Sequence, residues 1–118
     1  MSLARVSPLK WRPPRRLSRP GSDPAYLAFV RTLRCCVRGM PSAGACAGAM
    51  EANHAGRRPG TSMKAADDTA LPKCHRHHVQ WTEHLGAFRG WDKEQRRTWA
   101  DGLIEITRAL YDGERVAS

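Results

Sequence analysis

At 118 residues, 41% hydrophobic and 7% aromatic, with 10 glycines and 8 prolines, the chain has room for one domain around a thin apolar core. An excess of 20 Lys and Arg over 11 Asp and Glu gives a net charge of +9, which points to a polyanionic partner, nucleic acid before an anionic membrane surface. No run approaches the roughly 20 apolar residues of a membrane span and no secretory apolar stretch is visible, so the expectation is a cytoplasmic protein with no membrane partner.

Residues 1–24, MSLARVSPLKWRPPRRLSRPGSDP, hold five prolines and a single acidic residue, a composition that predicts a disordered basic arm. Asp23 followed by Pro24 is an N-cap with proline at the first helical position, and it predicts a helix over Ala25–Leu33. Tyr26, Leu27, Phe29, Val30 and Leu33 recur there at helical spacing and read as core. From Arg34 to Gly60 the chain is rich in Gly, Ala and Pro, which predicts short ribbons and loops that are marginal in water unless something clamps them.

Trp81, Phe88 and Trp91 read as core between two helices. Asp92 with Gln95 three residues on has capping-box spacing and opens a helix from about Lys93 to Tyr111, with Gly113 as its stop. Trp99, Leu103, Ile106 and Leu110 form the face expected to pack on the domain. The organisation expected is a basic arm over 1–24, a folded unit over 25–112 and a tail over 113–118.

In a reducing cytosol four cysteines read as metal ligands before disulfides. All four cysteines and all five histidines fall between Cys35 and His84. Cys74-x-x-His77 has the two-residue gap of a zinc knuckle, and Cys35 or Cys36 with Cys46 offers a looser second pair. A tetrahedral zinc held by three thiolates and one imidazole would supply the stability that so small a core lacks. His54, His78 and His84 remain, and a second centre that brought His54 near His78 would suit metal-assisted hydrolysis, with a neutral histidine activating water. Adjacent Cys35 and Cys36 beside a metal also allow a weaker reading as a redox sensor.

The stretches YLAFVRTLRCC, CAGAMEANHAGRR, GTSMKAADDTALPKCHRHH and GAF follow one another in the order found in phage and prophage HNH endonucleases, and the chain from about Tyr26 to Trp91 resembles that family, in particular the group similar to the phage recombination-enhancement nuclease. The resemblance implies an α+β fold: a small zinc-stabilised ββα-metal core, treble-clef-like, flanked by an N-terminal and a C-terminal helix. It implies hydrolysis of DNA phosphodiester bonds with little sequence specificity, in the cytoplasm of a bacterial host. Carried over by position, His54 is the general base and Asp67 an orienting group or ligand beside it. Asn53, His78 and His84 are candidate ligands of a catalytic Mg²⁺ or Mn²⁺ ion. Cys46, Cys74 and His77 join Cys35 or Cys36 around structural zinc, and Arg57, Arg58 and Lys64 face phosphate. The chain departs from the pattern at Asn53, where the group has His, and at Thr82, where the group has a further His one helical turn after the position of His78. Those departures motivate the alternative of a zinc-stabilised DNA-binding or adaptor module with weakened catalysis.

Overall fold

The computed structural model describes residues 21–57 and 65–117. Their order is α1 (Pro24–Val30), β1 (Met50–His54), a 3-10 turn (Asp67–Thr69), β2 (Ala70–Cys74), α2 (His75–Glu83), a second 3-10 turn (Gly86–Phe88) and α3 (Lys93–Ala117). The architecture is small α+β, with a two-stranded antiparallel sheet and three helices. Of the disordered arm expected over 1–24, residues 1–20 lie outside the described residues, as do Arg58 and Lys64. Residues 21–24 are corrected to part of the folded unit, since Gly21 and Asp23 bond to Asp67 and Pro24 opens α1.

Helix α1 starts as its sequence dictates: the Asp23 carboxylate accepts the Tyr26 N–H at 3.1 Å and Pro24 occupies the first turn, where its missing N–H costs nothing. It ends at Val30, three residues before the expected Leu33. The N–H groups of Thr32 and Leu33 turn back to carbonyls only three residues earlier, and the Thr32 hydroxyl donates to Phe29 O at 2.7 Å, so the last turn tightens and stops.

The ribbon pairs Met50 with Cys74, Ala52 with Pro72 and His54 with Ala70. Alternation along β1 turns Glu51 and Asn53 toward α2, while Ala52 packs with Tyr26, Val30 and Ala70 beneath α1. Strand β2 is buried at every position, although it contains Pro72 and Lys73. Pro72 has no N–H to give, but its carbonyl accepts the Cys36 N–H at 2.8 Å, so the loop over 31–49 covers that edge. The same loop caps α2, since Ala49 O and Ala47 O accept the first-turn N–H groups of His75 and Arg76 at 2.9 and 3.1 Å.

Beyond α2 the core is aromatic. Phe88 is fully buried, with its ring centroid 4.9 Å from Trp81, 5.2 Å from Trp91 and 5.1 Å from Trp99. Arg96 lies 3.9 Å over the Trp81 ring and donates to Trp81 O, which ties α3 to α2.

Helix α3 opens with the expected capping box: Gln95 N–H reaches Asp92 Oδ1 at 2.8 Å and Asp92 N–H reaches Gln95 Oε1 at 2.9 Å. Two expectations for its far end are corrected. The helix continues through Gly113 to Ala117, because Gly113 keeps right-handed geometry and its helix penalty of about 1 kcal/mol is too small to stop an established helix. Its buried face carries Ala100, Ile104 and Thr107, with Trp99 and Leu103 half-buried, whereas Ile106 and Leu110 are 57% and 52% exposed. The packed face is turned about one residue from the stripe that periodicity suggested. Phe88→Ala is expected to lower unfolding free energy by about 3–5 kcal/mol in a urea titration of the metal-loaded chain; a decrease of well under 1 kcal/mol would show that the aromatic cluster is not the core.

Candidate metal centre and the adjoining histidine pairs

Four ligand atoms converge where β2 becomes α2. His77 sits in the first turn of α2, and its Nδ1 lies 3.3 Å from Cys35 Sγ, 3.3 Å from Cys74 Sγ and 3.7 Å from Cys46 Sγ. These four ligand atoms lie within 4.8 Å of one another, and among the described residues they are the group of three or more His, Cys, Asp or Glu able to hold a metal ion. Cys74 ends β2 and His77 follows one helical turn later, while Cys35 and Cys46 come from the loop that α1 and β1 bracket.

The imidazole is oriented for ligation. His77 Nε2 faces the carbonyls of Ala43 and Gly44 at 3.1 and 3.2 Å, so it carries the proton and donates, and Nδ1 is left with its lone pair toward the three sulfurs. Desolvation alone would raise the Cys74 thiol, but the N–H groups of His77 and Ala47 and the Cys46 and Cys35 thiols outweigh it and hold Cys74 below the usual thiol range. The Cys46 thiol is pushed up to about 11, first by desolvation and then by its thiol neighbours. Three thiols at this separation cannot all ionise unaided, whereas a thiophilic dication offsets two of the three negative charges and binds all three sulfurs, and a set of three sulfurs and one imidazole fits zinc.

The choice between Cys35 and Cys36 resolves to Cys35, which is buried against His77. Cys36 packs on the edge of the core, and its thiol is pushed up to about 11, chiefly by burial. A thiol held protonated in this way is poorly suited to redox sensing.

Beside this centre, two histidine pairs flank the end of β1. His54 Nε2 meets Asp67 Oδ1 at 2.8 Å. Asp67 is itself fixed, because its Oδ2 accepts the Asp23 N–H at 2.7 Å and its own N–H donates to Gly21 O at 2.7 Å. An imidazole that donates from Nε2 to a held carboxylate presents Nδ1 as a base. On the other side, His78 Nδ1 donates to Glu51 Oε1 at 2.7 Å and His78 Nε2 faces Asn53 Nδ2 at 3.1 Å. Glu51 also takes His75 Nδ1 at 2.9 Å, and the His78 and His75 imidazoles hold its carboxyl below the usual range.

Two residues of this neighbourhood were not singled out from sequence. Glu51 could have been found from alternation, since it shares a strand face with Asn53. Lys73 is fully buried, with Nζ 4.7 Å from the Trp81 centroid and 5.3 Å from that of Trp99, and it donates to Asn53 Oδ1. Burial pulls its ammonium down to about 8. The Asn53 oxygen is thereby committed, and the amide turns its N–H toward His78.

His84 is not brought to this place. It caps the C-terminus of α2 in left-handed geometry, φ 58° and ψ 47°, and its exposed ring makes no hydrogen bond or ion pair among the described residues. Gly86 makes the following bend possible: its φ is positive, and a Cβ there would stand 2.4 Å from the Gln80 side chain. Thr82 is exposed on α2. Arg57 is exposed and pairs with Asp101 of α3 at 3.4 Å, an ion pair that phosphate can displace. The expected donor set of Asn53, His78 and His84 for a catalytic divalent ion therefore does not fit as arranged, because the Asn53 oxygen is bound to Lys73, the Asn53 N–H covers the His78 Nε2 lone pair and His84 stands apart. No protein family, no curated protein and no solved structure is matched by the chain.

Because the binding energy of a structural zinc, about 10–16 kcal/mol in small modules, is folding energy, a strong chelator or Cys74→Ser is expected to unfold the chain by far-UV circular dichroism. Cys36→Ser is expected to keep both the fold and one metal ion per chain. Acidification should release the ion, since protons compete for the thiolates; a fold indifferent to chelator at every pH would contradict the assignment.

Proposed function

We propose that the chain is a zinc-stabilised DNA endonuclease of the HNH type, in which His54 is the general base for phosphodiester hydrolysis. The observation that carries this reading is the His54–Asp67 pair, an imidazole with Nε2 held by an anchored carboxylate at the end of a ribbon strand. In the proposed step, His54 Nδ1 takes the proton of the water whose oxygen bonds to phosphorus, the P–O ester bond opposite it breaks, and the departing alkoxide takes a proton from solvent, while Asp67 keeps the ring in the required tautomer and offsets the charge it gains. Support for DNA as substrate comes from charge. Residues 1–20 carry Arg5, Lys10, Arg12, Arg15, Arg16 and Arg19 with no acidic residue, and Arg57, Arg58 and Lys64 lie in the segment between the strands. The resemblance to phage and prophage enzymes suggests a bacterial host cytoplasm as the setting.

A second reading, a DNA-binding or adaptor module that does not cut, is favoured by the Asn53 oxygen bound to Lys73 and by the place of His84, an exposed cap on the C-terminus of α2 with no hydrogen bond to the ribbon end.

Plasmid nicking by the zinc-loaded chain in Mn²⁺ or Mg²⁺ is expected to be measurable and to fall about 10²-fold or more in His54→Ala. A chain that binds DNA and nicks none under these conditions would establish the second reading. Deleting residues 1–20 is expected to weaken DNA binding and flatten its salt dependence, by about 0.9 in log–log slope for each phosphate that the arm neutralises.

A further inference from the structure

A buried ammonium dictates the orientation of Asn53. Lys73 Nζ is walled by Trp81 and Trp99, and its hydrogen-bond partner among the described residues is Asn53 Oδ1. An ammonium has donors and no acceptor, and leaving it unpaired away from water is costly, so the Asn53 oxygen stays with it. The opposite end of the amide is then an N–H, and it faces His78 Nε2 at 3.1 Å. His78 meets that donor with a lone pair because its Nδ1–H is given to Glu51 at 2.7 Å. Turning the amide over would set two donors, the Asn53 NH₂ and the Lys73 ammonium, against each other.

We propose that Lys73 is a positioning residue that acts through Asn53 to cover the His78 Nε2 lone pair, and so sets a low affinity for a divalent cation at the end of the ribbon. This rests on His78 being the place where such a cation would sit in the hydrolytic reading above. The chain holds its own donor where a ligand pair would otherwise form, and a cation enters only by breaking the Lys73–Asn53–His78 chain of hydrogen bonds. The departure of Asn53 from the family pattern and the burial of Lys73 then form one device, since histidine at position 53 would carry no amide oxygen for the ammonium.

The test is a titration of the zinc-loaded full chain with Mn²⁺ alone, read as paramagnetic broadening of the imidazole proton resonances. Lys73→Met keeps a long apolar stem against Trp81 and Trp99 and removes the charge. His78 in this variant is expected to broaden selectively, at a Mn²⁺ concentration lower than in the wild type by roughly 10-fold or more, the usual size of an effect transmitted through a ligand's neighbour. Equal midpoints in wild type and variant overturn the proposal, as does broadening of His78 no greater than that of exposed His84. If Lys73→Met does not fold, Asn53→Asp keeps Lys73 paired through one carboxylate oxygen and presents the other beside His78. It is expected to bind Mn²⁺ at His78, and absence of binding there overturns the proposal. Nicking by the same samples reports separately: Mn²⁺ bound at His78 in Lys73→Met without nicking supports the lock and removes the nuclease reading.

Discussion

His77 is buried with Nδ1 within 3.7 Å of three thiol sulfurs and Nε2 against two backbone carbonyls, and the placement of the rest follows from that imidazole. The two-stranded ribbon is five residues long on each side and is marginal by itself. The loop over 31–49 has little regular structure to hold it. Both meet at the Cys₃His cluster, which joins the loop through Cys35 and Cys46 to the strand–helix junction through Cys74 and His77. The cluster could hold a metal such as zinc, which would supply the stability that a chain of this composition does not get from apolar burial.

The geometry at the ribbon end depends on this junction. Because Cys74 is the last residue of β2 and His77 lies in the first turn of α2, the direction of α2 against the ribbon is set within four residues. His78 is thereby brought over the face of β1 that carries Glu51 and Asn53. The opposite pair has a different anchor, the start of α1, where residues 21–23 hold Asp67 and so place its second oxygen at His54. The two pairs thus share β1, while their partners come from different parts of the chain, Asp67 held by residues 21–23 and His78 by the start of α2.

How far this could be read from sequence follows the range of each interaction. Local signals served well: the Asp23 cap, the Asp92–Gln95 box and the Cys74-x-x-His77 knuckle are contacts within three residues. Cys35 could not be told from Cys36 because the choice depends on where the Cys36 N–H meets Pro72, some 36 residues on. The α3 stripe misled at Ile106 and Leu110, which have helical spacing with Trp99 and Leu103, whereas the surface that α3 meets is set by Trp81 and Phe88, onto which Trp99 and Arg96 reach. Lys73 escaped notice since a lysine in a ribbon is ordinarily solvated, and only the tryptophans of α2 and α3 together bury it.

The central claim is that one metal ion, bound by three thiolates and the His77 imidazole, holds the chain in this fold. X-ray absorption at the zinc edge on the purified full chain tests it directly. The expected result is one zinc per chain with three sulfurs at about 2.3 Å and one nitrogen at about 2.0–2.1 Å. A folded chain without metal, a four-sulfur shell that draws in Cys36, or a shell of nitrogen and oxygen alone would contradict it.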